Sequence, residues 1–289
     1  MPLALSGCSG FIKGTALEGT TLIIQDAQTA FFAEADYDLA RDAAPSNLKL
    51  IEGLLIGAPD DDRLLLAASQ NFGGYAFGFV EQVQTPAFTG NEPWAKRCRI
   101  LYKRGMEYSM RMLNRDEWFV KTYKKDMDGF SNILKNMPDS NLPALFWAAY
   151  NWANYINVSK SDPEAIADLA WVEQMMRRAQ EIDPTYYHGG PNLFYIAYYG
   201  GRSQLLGGDP DKARIAYQKA RDVDKGKFLM VDVMYASQYA VQQQDKALFT
   251  QLLNDVLAAP DDLYPAERLA NEIAKHKATE LLAHTDELF

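Results

Sequence analysis

Cysteine is nearly missing from this chain. Its 289 residues hold two, Cys8 and Cys98, too few for the framework of a disulfide-stapled secreted domain. Histidine is almost as scarce, with His188, His276 and His284. No His/Cys/Asp group has zinc-ligand spacing and no HExxH occurs, so neither a metal nor another cofactor is expected. A phosphate-cradling GxxxxGK loop, a GxGxxG turn after a strand and a GxSxG elbow are all missing. No Ser or Cys has a marked helper His, so no catalytic residue is nominated. There is no run of about 18 apolar residues to cross a membrane. The net charge of −9 withholds the basic face that nucleic acid requires. It equally withholds attraction to anionic lipid head groups. Strand-like alternation is missing too, apart from an ambiguous stretch at residues 20–24.

What is present reads as helix after helix. Residues 145–158 and 166–182 carry apolar side chains at three- and four-residue intervals. Ser161-Asp162-Pro163-Glu164 has capping-box spacing with Pro in the first turn. Gly207-Gly208-Asp209-Pro210 ends one helix and starts the next, and Asp183-Pro184 and Ala259-Pro260 end others. The acidic runs Asp60-Asp61-Asp62 and Asp261-Asp262 follow prolines and read as helix caps. The fold class is all-α.

A degenerate repeat runs through the pattern. Cys98, Tyr102 and Gly105 share a small-x3-large-x2-small spacing with Val172, Met176 and Ala179, and with Ala213, Tyr217 and Ala220. Each triplet falls where the second helix of a helical hairpin would lie. The spacing resembles that of tetratricopeptide repeats, in which small residues let helices approach closely. Ordinary amphipathic pairing is the plainer reading. Either way the architecture is stacked antiparallel helical hairpins, and Cys98 fills a packing position.

Two further features bear on function. Leu5-Ser6-Gly7-Cys8 resembles a bacterial lipobox, which implies cleavage before Cys8 and a lipid on its sulfur. Residues 1–8 then count as residual signal, 9–20 as a tether and 21–289 as one repeat domain. Membrane attachment would rest on that lipid alone. Aromatic residues form three groups, around Phe72–Phe79, Phe146–Tyr155 and Tyr187–Tyr199. Core packing accounts for most such rings. Consecutive rings such as Phe146-Trp147 and Tyr198-Tyr199 cannot share one helix face, however. Some must occupy a second helix layer or line a cavity. His188, set among rings in a loop, reads either as a loop-ordering residue or as a ligand contact.

The stretches Ile100-Leu101-Tyr102-Lys103-Arg104-Gly105, residues 144–152, Met176-Arg177-Arg178-Ala179 and residues 207–214 resemble the TatT family. So does the tail, with Arg268-Leu269-Ala270-Asn271 and residues 286–289. Members of this family are periplasmic lipoproteins associated with tripartite ATP-independent periplasmic (TRAP) transporters. The resemblance implies a non-enzymatic, lipid-anchored periplasmic protein built of cryptic repeats. Its implied partner is the TRAP periplasmic solute-binding protein. Self-association, with a trimer as one form, and a pore through each subunit are implied as well. The implied ligand is a small organic solute, hydrophobic ones included. Candidate ligand contacts are Trp147, Asn151, Trp152, Tyr187, His188 and Tyr195. Two rivals remain: a repeat scaffold of the cell envelope with no small ligand, and an α/α-toroid glycoside hydrolase, which needs facing carboxylates.

Overall fold

A computed structural model describes residues 28–289. Cys8, the lipobox, the tether and residues 20–24 lie outside the described residues. The first long helix, α1 (Tyr37–Gly57), starts at Asp36, whose carboxylate accepts from the Leu39 backbone N–H. Helix α2 (Asp62–Tyr75) starts at Asp61, which accepts from Arg63 and Leu64. The Asp60–Asp62 run is therefore a cap, as its sequence implied. Helix α2 passes into a π-helical turn, Ala76–Val80, and α3 (Pro93–Leu113) follows.

Two short helices, α4 (Glu117–Thr122) and α5 (Met127–Lys135), lead to α6 (Leu142–Asn157). Next come α7 (Pro163–Ala167), α8 (Leu169–Ile182), α9 (Tyr186–Gly200) and α10 (Pro210–Val223). The chain ends with α11 (Met230–Met234), a second π turn at Tyr235–Ala240, α12 (Lys246–Ala258), α13 (Arg268–Ala283) and α14 (Thr285–Leu288). No strand occurs among the described residues.

The helices pack as adjacent pairs: α2 on α3, α6 on α8, α9 on α10, and α12 on α13. Helix α3 also packs on α6, and α8 on α9, so the pairs stack into one continuous series. The repeat triplets fall on the packed faces. Cys98, Tyr102, Val172, Met176, Ala179, Ala213 and Ala220 are all at most 1 % exposed. Burial first, and then the charge of Glu81, pushes the Cys98 thiol up to about 12. It is therefore a protonated packing residue at neutral pH.

Three sequence expectations need correction. The cap at residues 161–164 is Asp162, which accepts from Glu164 and Ala165, rather than Ser161. Residues 166–182 are not one helix, because α7 stops at Ala167 and α8 starts anew after Asp168. Asp261 and Asp262 lie in a turn and cap nothing; Asp261 pairs with Lys275 at 2.5 Å.

The two ends of the series meet. Helix α13 packs against α1 and the first π turn. The Tyr37 hydroxyl donates to the Gly78 carbonyl at 3.1 Å, and its ring stacks on His276 at 4.2 Å. The Lys277 ammonium lies 4.6 Å from the centre of the Phe77 ring.

At the crossing of α2, α3 and α6, the buried Asn151 amide lies against Gly73 and Gly105. A Cβ on Gly105 would fall 2.5 Å from Asn151 Oδ1 and 2.7 Å from its Cγ. Gly105→Ala should therefore lower unfolding free energy by about 1–3 kcal/mol through overpacking. Urea unfolding of the two proteins measures the difference.

Candidate functional site

Helix α9 begins with a backbone that few L-residues adopt. Tyr187, His188 and Gly189 all have positive φ, at 45°, 57° and 73°. Each non-glycine residue in that region costs about 1–2 kcal/mol. Runs of this kind persist only where surrounding contacts over-determine them. Glycine suits the third position, and a Cβ there would also meet the Ala220 Cα at 3.2 Å.

His188 supplies those contacts. Its Nδ1 lies 2.8 Å from Asp224 Oδ2 and its Nε2 3.4 Å from Glu267 Oε1. The ring stacks on Phe228 at 4.4 Å and meets Tyr264 edge-on. Tyr264 in turn donates to the other Asp224 oxygen at 3.1 Å. One imidazole thus fastens the start of α9 to the end of α10 and to the approach to α13. Burial pulls its pKa down, yet its hydrogen bonds to Glu267 and Asp224 prevail and leave it raised. The loop-ordering reading of His188 is what this geometry supports.

The clamp holds Tyr187 with 40 % of its surface accessible. The accessible part is ring, while the hydroxyl lies deep, where burial and then Glu267 raise its pKa. The Tyr187 ring meets Trp147 edge-on at 4.6 Å and lies 6.1 Å from Phe146.

The other candidate contacts lie elsewhere. Trp147 and Trp152 are each 2 % exposed and Asn151 is fully buried. Asn151 Nδ2 donates to the Ser69 carbonyl, the Ser69 hydroxyl and the Trp147 carbonyl at 2.9–3.2 Å. Tyr195 is 5 % exposed and donates to Glu173 at 3.2 Å. The structure therefore brings Trp147, Tyr187 and His188 together. Tyr195 stands apart from them in the α9 core.

Trp152 lines a separate cleft of about 170 Å³ with Tyr123, Tyr155, Lys103, Lys124 and Asp168. A larger concavity, about 470 Å³, lies between residues 82–94 and the end of α13. Part of its polar lining is paired, while Glu92 Oε2 is buried with no hydrogen-bond partner among the described residues. Glu92 accepts from Thr89, His284 pairs with Glu287, and Glu280 lies 3.5 Å from His276. Among the described residues no group of three or more His, Cys, Asp or Glu could hold a metal.

The sequence reading missed Asp224, Glu267, Tyr264 and Phe228 around His188. They come from loops tens of residues away and no local spacing marks them. Asp168 was missed because no Pro or Gly announces the break between α7 and α8.

Stacked helix pairs with buried polar groups engaged in fixing helices and loops define an all-α repeat array. Residues 33–289 match the family model described as TRAP transporter T-component (TAtT), and the chain belongs to that family. A protein of Treponema pallidum (strain Nichols), named only as uncharacterized, is similar: it is 25 % identical over 282 residues, covering 91 % of this chain and 84 % of its own. Membership places the chain among the accessory components of transporters rather than the toroid hydrolases. No described helix is long and apolar enough to cross a membrane.

The raised pKa of His188 has a testable sign. The clamp's stabilisation is complete below the ordinary histidine value of about 6.5 and fades as pH rises through the raised one. Against His188→Gln, the wild-type advantage in Tm should be largest in mild acid and should shrink at alkaline pH. Thermal melts across that range measure it.

Proposed function

We propose that this protein is a lipid-anchored periplasmic T-component that docks the solute-binding subunit of a TRAP transporter. It offers that subunit's small organic solute an aromatic surface centred on Tyr187. The observation that carries the reading is the accessible Tyr187 ring, held over Trp147 by a strained and clamped backbone. A partly exposed ring backed by buried aromatic residues suits the apolar face of a small organic solute. Backbone strain concentrates where function requires it. Tyr187 is the direct contact in this reading; His188 fixes its backbone, and Trp147, with Asn151 behind it, backs its ring from within the core. Cys8 is the lipid attachment, and self-association in the membrane plane accompanies docking.

Family membership supports association with a TRAP transporter. The acidic surface, with net charge −9, supports attachment through a lipid rather than through head-group contacts.

Tyr187→Asn tests the site with least disturbance, because Asn tolerates the left-handed backbone. Losing one ring contact of about 1–1.5 kcal/mol should weaken solute binding roughly tenfold. The Tm should stay close to wild type. Calorimetry with solute extracted from the partner subunit measures the affinity, and co-purification of that subunit measures docking. Unchanged solute affinity would remove Tyr187 from the site. Docking without any solute binding would favour the scaffold reading.

A further inference from the structure

The exposed face of α3 reverses the charge of the molecule. The helix holds six cationic residues, Lys96, Arg97, Arg99, Lys103, Arg104 and Arg111, against one acid, Glu107, so it is +5 in a chain of −9. Its buried face, which includes Cys98, Tyr102, Gly105 and Ser109, packs against α2 and α6. On the opposite side Lys96, Ile100, Lys103, Glu107 and Arg111 follow at three- and four-residue steps and so share one face. All five are exposed.

Local energetics do not account for these charges. The first turn of α3 holds no acid, and the N-cap residue Glu92 makes no side-chain cap bond, its carboxylate accepting instead from Thr89. Lys96 and Arg97 therefore sit near the positive end of the helix dipole without compensation. Arg99 and Lys103, four residues apart, repel one another as well. Arg104 is neutralised by Glu52 of α1. Lys96 and Lys103, by contrast, have no hydrogen bond or ion pair among the described residues. Between them stands Ile100, with 62 % of its surface accessible. An apolar centre with a polar rim is the anatomy of a protein-binding patch.

The stripe from Lys96 to Arg111 is about 22 Å long and narrow. Glu107 lies within it, and the acidic run Asp60–Asp62 borders its far end, where Arg115 reaches Asp62 at 2.6 Å and the Asp60 carbonyl at 2.9 Å. A flat anionic bilayer laid on this face would meet those acids too. A ridge of carboxylates on a protein would not.

We infer that the exposed face of α3 is the surface on which an acidic protein docks, with Lys96 and Lys103 meeting carboxylates on either side of an apolar contact at Ile100. The inference rests on the reading that this chain docks the solute-binding subunit of a TRAP transporter, and it gives that subunit an acidic docking edge.

Calorimetry of that subunit with wild-type protein, and with variants whose circular dichroism matches it, tests the assignment. Lys96→Glu/Lys103→Glu should weaken docking about tenfold or more, because like charges would then face each other. Lys96→Arg/Lys103→Arg should keep it, and added salt should weaken the wild-type complex. Lys219→Glu, at an exposed site on α10, should leave docking close to wild type. Docking undiminished in Lys96→Glu/Lys103→Glu, or an equal loss in Lys219→Glu, would overturn the inference while leaving the subunit as a partner. If the two lysines are needed instead for sedimentation with phosphatidylglycerol vesicles while docking stays intact, the face belongs to lipid and the inference falls. No docking by the wild-type protein would remove the proposed function and this inference together.

Discussion

The side-chain amide of Asn151 sits where α2, α3 and α6 cross, and much of the molecule takes its spacing from that contact. A buried amide is costly unless its hydrogens find acceptors. Here Ser69 and the Trp147 carbonyl receive them. Glycines at 73 and 105 leave the room that the amide occupies. A larger residue at either position would push α2 or α3 away from α6. Met110 and Leu113 of α3, which share a core cluster with Trp147 and Trp152 of α6, would be displaced with it. The polar lock and the aromatic packing are therefore one arrangement.

A second arrangement works by opposition. Three consecutive left-handed residues raise the energy of the α9 start. The doubly bonded and stacked His188 lowers it again. Neither half would persist without the other. The outcome is a tyrosine ring left partly open to solvent in a helical array that buries most of its large apolar side chains.

Periodicity and punctuation carried most of the fold into view. Asp61 and Asp209 act as caps, and α8 and α12 stop just before Asp183-Pro184 and Ala259-Pro260. The repeat triplets mark the faces that pack. These are local signals, and a single sequence displays them. The site was harder to read. Trp147 and Asn151 stood out because aromatic and amide side chains suit ligands, yet both serve the core. The partners of His188 approach from α10 and from the turn before α13, and such long-range meetings leave no trace in spacing. Lys103, Lys124 and Asp168 gather at one cleft for the same reason: three separate elements bring them there.

The contact between α13 and the first π turn has a further consequence. Linear repeat proteins expose their terminal units, which fray and need a polar outer face of their own. In this chain the first and last long helices meet through Tyr37 and His276, and both also contact the π turn, through Gly78 and Phe77. Fraying from one end then requires breaking the contact with the other. Unfolding should therefore be more cooperative than in an open solenoid, with the two ends lost together rather than one after the other.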